Sequence, residues 1–384
     1  MIEIIEKSDC CGCEACVQKC PKQCISFKMD KEGFYYPEVE VEHCIDCGIC
    51  EKVCPVLNQG NPTFPLHIYA VRNPNESVRM HSSSGGFFSM LADKMLSEDG
   101  LVYAARFNDS FEVFHSLLDN VDGMNLFRGS KYVQSRIGNC FKEVQKELVS
   151  GRKVFFTGTP CQVSALRLFL RKEYDDLVTA EVVCHGVPSP GIWLEYLDEL
   201  KRNKNIHQIK DVCFRNKETG WKHYSFSVEY LKNGKTQRFS EYYTQNVYMK
   251  GFTQNFFLRP SCFQCPCKSN KSGADFTMGD FWGVQTYRPD LDDDKGTSFV
   301  FFNTKKAVNL AAMLHAEFTE IDYNEVVNGN PSIVSSSVSP EKREYFFLNR
   351  KKKTITKLMN NLTRPPFILN LKLSMYYFLK KVLK

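Results

Sequence analysis

Cys10, Cys13, Cys16 and Cys20 stand in the run C-x2-C-x2-C-x3-C, closed by Pro21, and Cys44, Cys47, Cys50 and Cys54 repeat it, closed by Pro55. Thiolates at this spacing suit an iron–sulfur cube. Three cysteines of a run wrap one 4Fe–4S cluster, and the fourth points away to ligate the other. The spacing therefore pairs Cys10, Cys13, Cys16 and Cys54 on one cluster, and Cys44, Cys47, Cys50 and Cys20 on the second. A zinc ribbon uses two C-x2-C pairs and needs neither the third cysteine nor the C-P close, so zinc is the weaker reading. Cys11 and Cys24 are surplus and read as small buried side chains, with Cys11 near enough in sequence to compete at the first cluster.

Four later cysteines stand in unusual settings. Cys161 in TGTPCQ and Cys184 in VCHGVPSP each follow an apolar, strand-like run. Cys262 and Cys265 form a C-x2-C pair in RPSCFQCPCK, with Cys267 two residues on. Two single thiols on adjacent loops plus a pair can converge on one further cluster; a zinc knuckle or unrelated buried thiols explain the spacing as well. Cys140 and Cys213 lie in ordinary amphipathic surroundings and read as core.

Glycine-rich turns offer a second chemistry. HSSSGGFF places Ser82–Ser84, Gly85 and Gly86 at a helix start, where free N–H groups and the positive dipole end suit a phosphate. A plain helix cap reads the same way. FRGSKYVQS supplies Arg128, Ser130 and Lys131 for anion contacts, FTGTPC is a polar turn after an apolar strand, and MGDFWG flanks Asp280 and Trp282 with glycines. Neither a G-x-G-x-x-G after a strand nor a G-x-x-x-x-G-K-[ST] occurs, which counts against a Rossmann nicotinamide site and a P-loop. Electron counting favours a flavin. Clusters pass single electrons, organic substrates exchange hydrides, and a flavin converts between the two. His185 beside Cys184 is a candidate proton carrier with a structural role equally open, and His81 reads as bland.

These residues need elements to position them. The two runs occupy 1–58, and NQGNPTFP (Asn58–Pro65) is rich in turn formers and reads as a linker. Strand and helix patterns then alternate: LHIYAVR, a helix stopping at Gly100, LVYAARF, RKVFFTGTP with a helix from Gln162 to Arg171, LVTAEVVCHG with a helix over Ile192–Arg202, and a hairpin at Asn233-Gly234. The succession predicts an α/β (α+β) body whose strand order is not readable. The expected divisions are 1–58, 66–150 and 151–340, with a basic amphipathic tail over 341–384.

Seventeen cysteines fit a reducing cytosol, since twelve of them fall in motifs with ligand spacing and MIEIIEKSD lacks the features of a signal peptide. No apolar run reaches the roughly 18 residues that span a bilayer; Phe367 to Leu383 is broken by Asn370, Lys372, Lys380 and Lys381. The net charge of +6 hides an asymmetry, because Lys342 onward carries twelve Lys/Arg and one acid while the rest has 38 basic and 43 acidic side chains. Cluster thiolates make that body more acidic still, so no nucleic-acid partner is expected. The tail either lies on an anionic inner membrane surface or packs on its own acidic body.

SSSGG, GSKYVQS, VFFTGTPCQ, CHGVPSP, FRNKETGW, RPSCFQCPCK and DFTMGDFWG occur in this order between residues 82 and 283. Together they resemble the family of coenzyme F420-reducing hydrogenase and dehydrogenase beta subunits. The resemblance implies a flavin-binding α/β core behind an N-terminal bacterial-type 2(4Fe–4S) ferredoxin domain. It also implies a third 4Fe–4S cluster on Cys161, Cys184, Cys262 and Cys265, with Cys267 as an alternative ligand. FAD contacts are implied at Ser83, Ser84, Gly85 and Gly86, at Gly129, Ser130, Lys131 and Tyr132, at Thr157, Gly158 and Thr159, and at Gly279, Asp280 and Trp282. The expected activity is a flavin- and iron–sulfur-dependent oxidoreductase. Its partners would be a ferredoxin or hydrogenase-like subunit and a two-electron acceptor, either the deazaflavin or an organic substrate such as a surface-polysaccharide precursor. A carrier subunit docking to a larger redox enzyme, with no catalysis of its own, is the rival. No catalytic acid or base is named.

Overall fold

The computed structural model describes residues 1–363. Residues 1–58 fold around the cysteine runs. Short helices Ala15–Lys19 and Ile49–Lys52 carry Cys16 and Cys50, and an antiparallel ribbon of β1 (Ile25–Met29) and β2 (Tyr35–Val39) lies between them. A segment of this size buries little core of its own, and the rest of the chain completes it. Cys11, Cys13, Ala15 and Val53 share an apolar cluster with Phe141, Phe156, Val163 and Phe169. The buried Glu14 takes Arg136 on both oxygens at 2.6 and 3.1 Å, and Gln18 Oε1 accepts from the Phe141 and Lys142 amides.

At the far end, the β1–β2 turn meets the helix Pro190–Lys204 so closely that a Cβ added to Gly191 would lie 2.7 Å from the Gly33 Cα. Gly191→Val is expected to cost about 1–3 kcal/mol by overpacking, read as a lower urea midpoint at unchanged slope. An unmoved midpoint would show that the contact gives way freely.

Among the described residues eleven strands follow: β3 (His67–Val71), β4 (Leu101–Phe107), β5 (Val113–Leu118), β6 (Val154–Gly158), β7 (Leu177–Val182), β8 (Gln208–Asn216), β9 (Ser225–Lys232), β10 (Lys235–Tyr242), β11 (Phe276–Asp280), β12 (Ser298–Phe302) and β13 (Phe318–Glu320). Eight of them form one mixed sheet in the order β13-β3-β12-β11-β7-β6-β4-β5. The central β11, β7, β6 and β4 are parallel, and antiparallel strands flank them. Parallel strands covered on both faces are apolar throughout, and Val154, Phe155 and Phe156 of β6 are fully buried. Strands β8, β9 and β10 form a separate antiparallel sheet. The β9–β10 turn falls at Asn233-Gly234, both at positive φ, as that hairpin sequence demands.

The α/β expectation holds, with local differences. The helix after β6 starts at Pro160, not Gln162, because proline is preset for the first helical position. Gly100 is not the helix stop: the left-handed residue after the helix Phe87–Ser97 is Asp99, while Gly100 lies one further on and donates its N–H to Met95 O. The tail also starts differently. The helix Ile355–Leu362 buries Ile355, Leu358 and Met359 against the cluster of Trp193 and Tyr248, and Arg350 pairs with Glu195 at 2.8 Å. This part is body. The segment Phe367 to Leu383, and with it the membrane-surface reading, lies outside the described residues. Among the described residues no helix is long and apolar enough to cross a membrane.

Candidate functional site: three thiol groups and a cavity

The fold gathers the N-terminal cysteines into two groups. Cys16 is faced by Cys10 and Cys54, Cys13 by Cys16 and Cys54, and Cys54 by Cys10. Burial, and then the charges of Cys10 and Cys54, push the Cys16 thiol far above its ordinary range. Cys20, Cys44, Cys47 and Cys50 line one recess at the surface, beside Met1, and Cys47 is exposed. Backbone amides already point at this sulfur set: Ile2 N lies 3.2 Å from Cys50 Sγ and Asp46 N 3.4 Å from Cys44 Sγ. Crowded, buried thiols are poor company as thiolates until a metal displaces their protons. Among the described residues no three His, Cys, Asp or Glu side chains close on a single-ion position, whereas a cube takes each thiolate on a separate iron. The donor chemistry and the grouping fit two cubes, one inner and one outer.

A third thiol group forms where the parallel strands end. Cys161 lies in the first turn of the helix Pro160–Leu170, set by a Thr159–Gln162 capping box in which Thr159 N donates to Gln162 Oε1 at 3.0 Å. Cys184 lies two residues past β7, and Cys262 and Cys265 come from a 3-10 turn, Pro260–Gln264, and the residue after it. Cys184 is faced by Cys262, Cys161 and Cys265, and burial pushes its thiol well up. Cys267 approaches Cys161, Cys265 and Cys184; it is itself buried, whereas the other four are partly open. Val187 N donates to Cys262 Sγ at 3.4 Å, and Lys268 Nζ to the Cys184 carbonyl at 2.7 Å. Cys11 sits between groups, with Cys13 on one side and Cys161 on the other.

Beside this group opens a cavity of about 530 Å³, inside the roughly 300–1,000 Å³ usual for cofactor and substrate pockets. It lies at the carboxyl ends of the parallel strands, where open α/β sheets bind ligands. One wall is aromatic and charged. Arg215 donates both terminal nitrogens to Asp280 at 3.0 Å, Trp221 Nε1 reaches the same carboxylate at 2.9 Å, and Trp221 stacks on Trp282 at 4.7 Å. The opposite wall is the serine–glycine turn. Lys217 Nζ ties it down through the Arg79, Ser84 and Lys295 carbonyls, and Ser130 N donates to Ser83 Oγ at 2.6 Å. The helix Phe87–Ser97 starts without a side-chain cap, so its first N–H groups are left for an anion. His115 Nδ1, Thr157 Oγ1 and Arg215 Nε are buried beside the cavity and have no partner among the described residues. Burial lowers the His115 pKa to about 4, so its ring is neutral at neutral pH. An elongated ligand with an anionic end and a flat, hydrogen-bonding ring fits these features, and FAD has both.

Residues 151–325 match the family model for the C-terminal part of the coenzyme F420 hydrogenase/dehydrogenase beta subunit, and residues 9–58 match that of the 4Fe-4S dicluster domain. Residues 151–325 thus carry the C-terminal domain of this beta-subunit family, behind a 4Fe-4S dicluster domain. Among curated relatives, the F subunit of the F(420)H(2) dehydrogenase of Methanosarcina mazei is 22% identical over 185 residues, covering 46% of this chain and 53% of that protein. The chain therefore spans about half the length of that relative. The VorC subunit of the ketoisovalerate oxidoreductase of Methanothermobacter marburgensis is 35% identical over 57 residues, covering 14% of this chain and 72% of that protein. A chain of the F420-reducing NiFe hydrogenase complex from Methanosarcina barkeri aligns at a TM-score of 0.45 and 18% identity, over 77% of this chain and 93% of that one.

Of the cofactor contacts expected for a beta subunit of this family, Ser83, Ser84, Gly86, Gly129, Ser130, Lys131, Tyr132, Thr157, Gly158, Thr159, Gly279, Asp280 and Trp282 all line the cavity. Gly85 does not; it faces the sheet and donates to Ser298 Oγ at 2.9 Å. Lys131 caps the Phe127, Arg128 and Gly129 carbonyls, and burial lowers its pKa to about 7. His185 lines the cavity with Nε2 2.6 Å from Asn255 Oδ1, whereas His81 is exposed and bonds to its own helix. Sequence reasoning missed His115, Arg215 and Tyr224. Arg215 stands inside FRNKETGW, so a charge within a strand-like run was the signal available. For His115 in VFHSLL there was none.

Proposed function

We propose that the chain is an electron-transfer oxidoreductase subunit that binds FAD in the cavity and a third 4Fe–4S cluster on Cys161, Cys184, Cys262 and Cys265, fed by the two N-terminal clusters. The carrying observation is that Cys184 belongs at once to the third thiol group and to the cavity wall. A flavin, when bound, supplies the exchange between single electrons and hydrides. The chain's own residues do the rest. Ser83, Ser130 and the uncapped helix start bind the anionic end. Tyr132, Phe252 and Trp282 exclude water, with Tyr132 and Phe252 stacked at 4.4 Å. Asp280 holds Arg215 as a fixed cation on the wall, and the neutral His115 presents an acceptor nitrogen.

The inner thiol group lies deeper than the outer one, and through Cys11 it abuts the third. This order suits entry of electrons at the exposed Cys47 end and passage inward to the cavity. The F420 in the name of the M. mazei relative is the first two-electron partner to test, with organic acceptors such as polysaccharide precursors after it. Iron and flavin content after anaerobic purification tests the proposal. About twelve irons and one FAD per chain are expected, at four irons per cluster. About eight irons and no flavin would leave a carrier subunit instead.

A further inference from the structure

Arg259 does not line the cavity and touches the third thiol group only at Cys262, whose N–H its carbonyl accepts at 2.9 Å; it is the most enclosed arginine in the described chain, at 0% exposure. It comes from the body, three residues before Cys262, and reaches into the first cysteine run. Its Nε donates to the Cys10 carbonyl at 2.6 Å and its Nη2 to Cys10 Sγ at 3.4 Å and the Tyr35 carbonyl at 2.9 Å, while Nη1 reaches Gln134 Oε1 at 3.0 Å. Gln134 in turn donates to the Cys11 carbonyl at 2.9 Å. Phe34 and Tyr36 lie under the guanidinium. Gly12 makes the approach feasible: a Cβ there, at φ +73°, would lie 2.8 Å from Arg259 Nη1.

A buried guanidinium ordinarily has a carboxylate. The groups that face this one are Cys10, Tyr36, Cys11 and Cys262, so the anion that balances it has to be the sulfur side. A cube on four thiolates carries a formal charge of roughly −2, and taking up one electron makes it more negative. A fixed cation hydrogen-bonded to one of its sulfurs stabilises that reduced form. The lever is net charge and sulfur hydrogen bonding, strengthened by the low dielectric of the interior.

We infer that Arg259 is the counter-ion of the inner cluster, supplied by the body to the ferredoxin segment, and that it raises that cluster's reduction potential relative to the outer one. The inference rests on the assignment of Cys10, Cys13, Cys16 and Cys54 to one cluster. It makes the docking of the two parts a condition of the inner potential, since a ferredoxin segment alone lacks the cation. Arg259 acts through the cluster and is a positioning residue, not a catalytic one.

The test uses the full chain, purified anaerobically as parent, Arg259→Gln and Arg259→Lys, reduced stepwise with dithionite and followed by electron paramagnetic resonance. In Arg259→Gln the reduced-to-oxidised ratio of the inner cluster at fixed ambient potential is expected to fall about tenfold, a downward shift of about 59 mV for one electron. The outer midpoint stays in place, and Arg259→Lys recovers most of the shift. An inner midpoint unmoved in an iron-replete Arg259→Gln chain would overturn the inference. If Arg259→Gln loses the cluster, retention by Arg259→Lys supports a requirement for charge, and loss in both variants overturns it in favour of shape. Cys10→Ser tests the assignment separately: unchanged iron there would remove the cluster from this site, whatever Arg259 does.

Discussion

A Cys184→Ser chain is expected to hold about eight irons against about twelve expected in the parent, with the signals of the N-terminal clusters kept. The reason is positional. Cys184 stands just past β7, facing Cys161, Cys262 and Cys265, and the eight cysteines of the N-terminal runs lie in other groups. A hydroxyl in its place is a poor ligand for iron, and a cube with three thiolates in a partly open cavity is exposed to solvent. Electrons from the N-terminal clusters should then fail to reach a ligand in the cavity, seen as loss of flavin reduction by dithionite-poised chain with FAD still bound. The same experiment on Cys267→Ser decides the ligand set. Full iron content there leaves Cys161, Cys184, Cys262 and Cys265 as the four; loss there, with retention in one of those, would replace that one by Cys267. Twelve irons in Cys184→Ser would remove it from the third group altogether.

Asp280→Asn is expected to cost about 3–5 kcal/mol of stability, the usual consequence of leaving one half of a buried ion pair without its partner. Burial opposes the Arg215 charge, and the Asp280 carboxylate more than restores it. The pair is bidentate and nearly closed to water on the arginine side, with side-chain exposures of 2% and 19%. The same carboxylate also holds Trp221 Nε1, so the Trp221–Trp282 stack loosens with it. Against a typical total of about 5–15 kcal/mol, this is a large fraction, visible in the urea midpoint of the ligand-free chain. A paired Arg215→Met, Asp280→Leu variant should recover much of it, because an apolar pair of similar volume avoids the desolvation cost. It should not recover ligand binding, which separates the structural from the binding role of the wall. An Asp280→Asn chain as stable as the parent would mean that water reaches Arg215.

The strands show how local patterning succeeds and where it stops. LVYAARF is β4 to the residue, and the Asn233-Gly234 turn is where its dipeptide puts it. Gly100 misled because a glycine after a helix is usually the left-handed cap, whereas here Asp99 takes that conformation and Gly100 serves a close approach to Met95. The basic tail had two readings, a membrane surface or packing on its own body, and its described part follows the second. Seven of its twelve cations lie before residue 363, and in that part Ile355, Leu358 and Met359 recur at helical spacing and bury themselves in the body.

The sequence by itself determined the iron–sulfur chemistry of residues 9–58 and the family of residues 151–325. A cube's ligand geometry is nearly met within eleven consecutive residues, so spacing carries it without knowledge of the fold. It also placed most of the cavity's turns, because glycine and serine at strand ends are local signals. Only the tertiary structure decided what depends on strand order. The β7–β6 pairing and the insertion of β11 beside β7 bring Cys161, Cys184 and the Cys262–Cys265 turn to one end of the sheet, beside Arg215 and His115. Only the docking of the first fifty-odd residues on the body sets Arg259 against Cys10. Contacts of that kind join residues up to 311 positions apart, as in Arg343 on Glu32, and their partners are chosen by which apolar faces bury together, not by anything written near either residue.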